Sequence, residues 1–433
     1  MHGLFSKELF LSNKLKLIKW VQLILFTGGT QVLIQVLGFI SGILVIRMLP
    51  TNEYAFYTLA NTALGTMTVL ADGGVATGVM SQGGKVWRDR EKLGSIIKTG
   101  MNLRQKFAIV SLLIAVPLLV FLLKHHNASW LMAVLITLSL IPVFITSLSG
   151  TLLEIAPKLH QDVGELQKNQ ILSNIARLGI LSSTIFIFPW AFLAILASSF
   201  PQIWINIRLR KLSSKYCDLN QKRDLTVQRE VLTIVKRVLP GAIYYCLYGQ
   251  ITVFIISIFG TTTAVAQLGA LGRITMALSV ISTMFNVLVV PRIARLEGNS
   301  KKLLTTFYKV QIGIALVAAF VILSVYVCSD WVLYVLGEKY AGLNFELFLM
   351  TLAGCVSMMV ALTHSMSNSR GWVLPPSVNI SISILLQIIL LFVLNLSNLV
   401  EVLCFSIANH IVAYILIYSY FIFKAKATIK KFN

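Results

Sequence analysis

The sequence is poor in charged residues. Only 12% of its 433 residues are Asp, Glu, Lys or Arg, and 57% are hydrophobic. Soluble domains carry about 25% charged residues to cover their surface, so this composition excludes an ordinary soluble fold. The alternating segments of about ten residues that form a transmembrane barrel are also absent. The apolar residues instead lie in runs of about eighteen or more, which predict membrane-spanning helices.

Acidic residues are scarcer than basic ones. The chain has 16 Asp and Glu against 37 Lys and Arg, for a net charge of +21. In a soluble protein this excess would indicate a nucleic-acid partner. Membrane proteins, however, collect Lys and Arg in their cytoplasmic loops. The excess is therefore explained by the cytoplasmic loops of a protein in the lipid bilayer, and it argues against nucleic acid.

Several kinds of chemical site are missing. The five cysteines form no CxxC pair, which argues against a disulfide framework or a metal site. A Gly-rich nucleotide loop is absent, which argues against direct use of ATP. There is no acidic pair of the DxD type and no long polar loop that could carry a catalytic domain. We expect neither a cofactor nor an enzymatic activity.

Twelve apolar segments are predicted to span the membrane. They cover residues 20–46, 54–82, 107–123, 130–153, 171–188, 190–207, 238–259, 264–290, 310–336, 343–365, 373–395 and 399–423. With the N-terminus in the cytoplasm, the external loops hold only Arg47, Lys124 and Lys339, and nearly all other basic residues lie inside. This asymmetry predicts that both termini are cytoplasmic. Lysines within 1–19, ahead of the first apolar run, predict an uncleaved signal anchor.

The longest loop divides the chain into two similar parts. Residues 208–237 are highly basic, and residues 1–207 and 238–433 hold six predicted spans each. Two halves with an even number of spans would run parallel, as in transporters built by internal duplication. We therefore predict an all-α membrane protein of two six-helix lobes around a central cavity, joined by a basic cytoplasmic loop.

One acidic residue lies inside a predicted span. On a helix, Asp72 shares a face with Tyr57, Asn61, Gly65 and Thr68, because neighbouring members of this series are three or four residues apart. A charge at membrane depth is costly, so Asp72 is a candidate for binding a coupling ion or for gating. The alternative is that Asp72 binds backbone groups freed where Gly73 and Gly74 break the helix.

Two arginines also lie inside predicted spans. Arg177 follows Asn174 on span five, and Arg273 lies well inside span eight. A guanidinium is always charged and matches phosphate oxygens with two hydrogen bonds. These residues therefore predict a cationic cavity for a pyrophosphate or an acidic sugar. The alternatives are an interhelical structural pair or, for Arg177, a side chain that reaches toward the cytoplasmic end of its helix.

Neutral polar side chains recur along several spans. Candidate cavity residues are Gln35 on span one, Tyr245 and Tyr248 on span seven, and Asn379 on span eleven. A single polar face commonly joins two helices, but several together predict a hydrated cavity. Tyrosine and amide side chains also suit sugars. His364 and His410 lie near span ends, as packing residues or as ligand or proton-relay groups.

Three neighbouring motifs carry a resemblance to a known family. They are Gly-Phe-Ile-Ser-Gly-Ile-Leu-Val-Ile-Arg-Met-Leu-Pro at 38–50, Glu-Tyr-Ala-Phe-Tyr at 53–57 and Ala-Asp-Gly-Gly at 71–74. This region is similar to the N-terminal part of the Wzx-type O-antigen and polysaccharide flippases. These belong to the multidrug/oligosaccharidyl-lipid/polysaccharide exporter superfamily. The similarity covers about residues 27–80, with a weaker match around 268–273, and the length and two six-helix halves agree throughout.

The resemblance implies a function. Members of this family move an undecaprenyl-pyrophosphate-linked oligosaccharide across the bacterial inner membrane by alternating access, for O-antigen or other surface polysaccharides. It also implies a polysaccharide polymerase and a chain-length regulator as partners. The arginines would hold the pyrophosphate or an anionic sugar, and the tyrosines and amides the glycan.

Three other functions compete with this interpretation. A multidrug exporter of the same superfamily would favour cationic drugs and an acidic cavity, whereas the spans here carry two arginines and one aspartate. A membrane polymerase or glycosyltransferase of the same pathway would need larger polar loops. A flippase for peptidoglycan precursors would usually have two more spans.

Overall fold

A computed structural model describes residues 29–290, 293, 300–370, 372 and 374–432. The regular structure of these residues is helical, without a β-strand, which confirms the all-α prediction. The predicted signal anchor lies outside the described residues.

The described helices are α1 (Gly29–Met48), α2 (Thr51–Asp72), α3 (Val75–Lys85), α4 (Arg90–His125), α5 (Trp130–Leu153), α6 (Ile155–Leu159), α7 (Val163–Ile187), α8 (Ala191–Ser213), α9 (Leu225–Phe259), α10 (Thr262–Thr275), α11 (Leu278–Leu288), α12 (Ser300–Val327), α13 (Ser329–Leu336), α14 (Asn344–Ser369), α15 (Pro376–Val393) and α16 (Leu399–Phe432). Among them, 11 helical segments are long and apolar enough to cross a membrane, and the bent pair of α2 and α3 raises the number to 12. This confirms the predicted set of spans.

Two of the helices begin well before the apolar runs that predicted them. The α4 helix starts after Asp89, whose carboxylate accepts hydrogen bonds from the Glu91 and Lys92 amides. The α9 helix starts after Asp224, whose carboxylate caps the chain in the same way. The amide of Lys92 lowers the pKa of Asp89, because the hydrogen bond favours the charged carboxylate. Capping therefore extends both helices through polar segments that hydropathy assigned to loops.

The loops described below lie at two opposite ends of the helix bundle. At one end, Arg90 donates to the Ser214 carbonyl at 2.9 Å, and the Thr99 hydroxyl accepts from the Asp224 amide at 2.9 Å. At the other end, Arg47 donates to the Val335 carbonyl at 2.9 Å. The loops predicted to be cytoplasmic thus lie together, which supports the predicted topology.

The two parts of the chain contact each other through few helices. In the first half, α2 packs on α4 and α5 on α8, and in the second, α14 packs on α16. Between the halves, α10 contacts α2, and α9 contacts α2, α3 and α4. Because α9 packs on both halves, the exact division at 208–237 stays a prediction.

The bend between α2 and α3 lies where α9 crosses. The two helices meet at 44°, and Gly73 and Gly74 between them have φ angles of +51° and +93°. A Cβ atom at Gly74 would lie 2.9 Å from Cγ1 of Val238 on α9. Glycine is therefore required here both for the left-handed backbone and for the close approach of α9.

Replacing Gly74 by alanine should destabilise the protein. We expect a loss of about 2 kcal/mol, since alanine is strained at this φ and its methyl group would push Val238 away. Thermal unfolding of the purified protein measures this loss. Gly84→Ala is the matched control, because its Cβ would meet only Leu159 at 3.9 Å. Equal melting temperatures for the two variants would contradict the assignment.

Candidate functional site

Two arginines from different halves of the chain meet at one tyrosine. The side chain of Arg273 on α10 lies beside the hydroxyl groups of Tyr54 and Tyr57 on α2, and its Nη1 donates to Met276 Sδ at 3.6 Å. Arg177 on α7 lies beside the same Tyr57 hydroxyl. Tyr57 is only 3% exposed, and both arginines are half-buried. We call Tyr54, Tyr57, Arg177 and Arg273 the arginine cluster.

Small residues make this meeting possible. Gly42 on α1 lies against the side chain of Arg273, whose Cδ is 3.3 Å from the place a Cβ would take. Gly269, one turn before Arg273, brings α10 against Thr58 of α2 with no room for a side chain. The rings of Tyr54 and Tyr57 stack one turn apart at 6.2 Å. The local sequence thus brings the guanidinium of Arg273 up to the tyrosines.

Arg177 lies deep in its helix. The helix α7 begins at Val163 and ends at Ile187, so Arg177 is about 21 Å from its cytoplasmic start at 1.5 Å per residue. The predicted span began only at residue 171, which made a side chain reaching to the cytoplasm plausible. The longer helix does not fix the membrane boundary, so that alternative stays a prediction. The Nε atom of Arg177 is buried and has no hydrogen-bond partner among the described residues.

The arginine cluster has no compensating acid. Neither Arg177 nor Arg273 forms an ion pair with a carboxylate in the part of the chain that the structure describes. A buried, unpaired charge is unfavourable, and a bound anion would relieve it. The cluster is therefore suited chemically to a phosphate, a diphosphate or a carboxylate.

Asp72 has a partner that the sequence analysis missed. Arg104 on α4 was counted with the cytoplasmic residues 83–106, but only 4% of it is exposed. Its Nε lies 2.9 Å from Asp72 Oδ1, Nη2 contacts the same oxygen, and Nη1 donates to the Leu148 carbonyl at 2.6 Å. The early start of α4 explains the miss, because it places Arg104 inside the helix bundle.

Asp72 also binds the start of the next helix. Its Oδ1 accepts a hydrogen bond from the Ala76 amide at 3.0 Å, across the bend between α2 and α3. Together with the Arg104 pair, this joins four helices, α2, α3, α4 and α5. The geometry favours the structural alternative for Asp72, while its role with an ion stays a prediction. With Asp72 neutralised by Arg104, the two arginines of the cluster remain as the uncompensated charges.

The predicted amides have local partners. Asn61 donates to the Tyr57 carbonyl at 2.7 Å, and Asn174 donates to the Gln170 carbonyl at 2.9 Å. Both therefore lie one turn from a cluster tyrosine or arginine and bind their own helix. Gln35 is partly exposed on α1, two turns from Gly42. These residues border the arginine cluster and are not its centre.

Tyr245, Tyr248 and Asn379 lie in another place. They line a cavity of about 260 Å³ between α9, α14, α15 and α16, together with His364 and His410. The side-chain amide of Asn379 donates to the Tyr245 hydroxyl at 2.9 Å. We call this the C-half cavity. Its lining includes no residue of the arginine cluster, so the predicted cavity residues fall into two groups.

The fold is similar to that of solved transporters described as members of the MOP superfamily. No family model matches the chain, and no curated protein sequence matches it. Solved structures match over nearly the whole chain. An inward-facing multidrug-resistance MATE transporter of this superfamily has a TM-score of 0.64 at 14% identity and covers 92% of this chain and 96% of its own.

Two further solved structures also match the chain. The lipid II flippase MurJ, in an inward closed conformation, has a TM-score of 0.69 at 13% identity, with 91% of this chain and 86% of that chain covered. A transporter from Pyrococcus furiosus, described as having a binding pocket of reversed polarity that suggests a different function, has a TM-score of 0.64 at 15% identity, with 92% and 93% covered. At these identities the likeness establishes a multi-pass membrane transporter fold, and the substrate must be argued from the site.

Proposed function

We propose that this protein flips an undecaprenyl-diphosphate-linked oligosaccharide across the bacterial inner membrane, for O-antigen or a related surface polysaccharide. One observation carries the proposal: two arginines without acidic partners meet at Tyr57 between the halves. A diphosphate offers several oxygens and negative charge, and guanidinium groups bind such oxygens with paired hydrogen bonds. The motifs at 38–50, 53–57 and 71–74 support the same class of substrate.

The position of the arginines suggests how the substrate drives the transport cycle. Arg177 belongs to the first half and Arg273 to the second, and their like charges repel each other when the site is empty. A diphosphate bound between them replaces this repulsion with attraction to both. Substrate binding would then draw the halves together, and release on the other side would let them part, as alternating access requires.

The known fold relatives fit this substrate class. One of them is a lipid II flippase, so the fold supports movement of a lipid-linked headgroup. A polysaccharide polymerase and a chain-length regulator would act on the flipped product and are the expected partners. An exporter of cationic drugs is the second candidate, because MATE transporters share the fold. The unpaired arginines would repel such drugs, which favours the flippase.

Deleting the gene for this protein from its host tests the proposal. We expect the surface polysaccharide to be lost and the lipid-linked oligosaccharide to accumulate at the cytoplasmic leaflet, since its transfer would be blocked. Gel analysis of the surface polysaccharide and mass spectrometry of extracted lipids measure both. Restoring the chain from a plasmid is the control. Normal polysaccharide combined with a new sensitivity to organic cations would instead identify a drug exporter.

A further inference from the structure

The helix α15 buries its polar face and exposes its apolar face, the reverse of a helix in a soluble protein. Its buried side chains are Asn379, Ser383 and Gln387, which are spaced by four residues and share one face. Its large apolar side chains are exposed, and they include Val378, Ile382, Ile384, Leu385, Ile388, Ile389, Leu391, Phe392 and Val393. In a membrane the apolar face suits lipid, whereas the buried polar face needs hydrogen-bond partners inside the protein.

Those partners are incomplete. Asn379 is only 7% exposed and its Oδ1 has no hydrogen-bond partner among the described residues. The hydroxyl of Tyr248, which lines the same cavity, is also buried without a partner. An acceptor and a hydroxyl group, which can both donate and accept, are thus left open. Buried polar groups normally have a partner, so the C-half cavity is built to receive one.

The lining defines the chemistry of the occupant. The residues around the C-half cavity include no Asp, Glu, Lys or Arg, so the ligand is uncharged. Tyr244, Tyr245 and Tyr248 supply aromatic surface beside the polar atoms of Asn379 and Ser383. A volume of about 260 Å³ corresponds to about nine water molecules at roughly 30 Å³ each, which suits one small ring.

We propose that the C-half cavity binds a neutral sugar ring. Sugar hydroxyls both donate and accept, which matches the open groups of Asn379 and Tyr248, and the apolar face of a sugar packs on tyrosine. This rests on the proposed function and divides its substrate between two sites. The arginine cluster takes the diphosphate, and the C-half cavity takes an uncharged sugar of the attached oligosaccharide.

The two sites lie at similar depth. Tyr248 is 11 residues before the end of α9 at Phe259, and Arg273 is 12 residues after Thr261, which caps α10. The two helices are joined by a short turn and run in opposite directions, so both side chains are about 17 Å from that turn at 1.5 Å per residue. The two sites therefore lie at similar distances along the helix pair from the turn that joins α9 and α10.

Sugar binding to the purified full-length protein tests this inference. The probes are free N-acetylglucosamine and free galactose, measured by saturation-transfer NMR. We expect both or one to receive saturation from the wild-type protein. Asn379→Leu and Tyr248→Phe should each weaken binding about fivefold, the usual effect of one lost hydrogen bond. Tyr326→Phe, at an exposed tyrosine of α12 outside both sites, is the matched control and should leave sugar binding unchanged.

The melting temperature separates a binding site from a packing defect. In the sugar-free protein, Tyr248→Phe should melt no lower than wild type, because it removes a buried hydroxyl group without a partner. A lower melting temperature together with unchanged sugar binding would overturn the inference. The absence of saturation transfer to either sugar would also overturn it, because the cavity would then hold only water. If sugars bind but deletion leaves surface polysaccharide intact, the proposed function fails and the sugar site stands.

Discussion

Replacing Arg273 by alanine is expected to reduce surface polysaccharide to the level of the deletion strain. Arg273 supplies a half-buried positive charge without an acidic partner, and it lies beside Tyr54 and Tyr57 where the halves meet. Loss of two charge-assisted hydrogen bonds of about 1.5 kcal/mol each would weaken diphosphate binding about a hundredfold. Titration calorimetry of the purified protein with farnesyl diphosphate, a short isoprenyl diphosphate, measures this change directly.

Two variants control for charge and for folding. Arg273→Lys keeps the charge but loses the planar pair of donors, so an intermediate affinity is expected. Arg229→Ala removes an exposed arginine near the cytoplasmic start of α9 and should leave both affinity and polysaccharide unchanged. Membrane levels of every variant are compared by immunoblot. Wild-type polysaccharide in both Arg273→Ala and Arg177→Ala would end the cationic-site hypothesis.

Separating Asp72 from Arg104 should produce the largest loss of stability. Asp72→Leu leaves a guanidinium that is 4% exposed without its carboxylate, and we expect a loss of about 3 kcal/mol. The double variant Asp72→Leu/Arg104→Leu removes both charges and should recover most of that loss. Thermal unfolding of the two single variants and the double variant gives the coupling energy.

A surface pair in the same chain is the control. Glu154 and Lys158 form an exposed ion pair at 2.7 Å, and Glu154→Ala should cost at most about 0.5 kcal/mol. The transport assay then decides between the two roles of Asp72. A stable double variant that still exports polysaccharide would identify a structural pair, whereas a stable but inactive one would support the predicted coupling or gating role.

Much of the architecture could be predicted from the sequence, because it depends on local properties. Hydrophobic runs define the spans, and the clustering of Lys and Arg defines which loops share an end. The limits of these signals are visible at α4 and α9, where Asp89 and Asp224 start each helix inside polar segments. Hydropathy does not detect a helix that extends beyond the apolar run, and so Arg104 was assigned to a loop.

The sequence by itself determined the helical class, the set of spans and the presence of charged and polar side chains at membrane depth. Only the tertiary structure decided which of them meet. It brought Arg177 and Arg273 to Tyr57, paired Asp72 with Arg104, and placed Tyr245, Tyr248 and Asn379 in a separate cavity. The physical reason is that the cost of burying a polar group can be read from a single residue. The partner that offsets this cost comes from another helix, and the position of that helix depends on the packing of the whole chain.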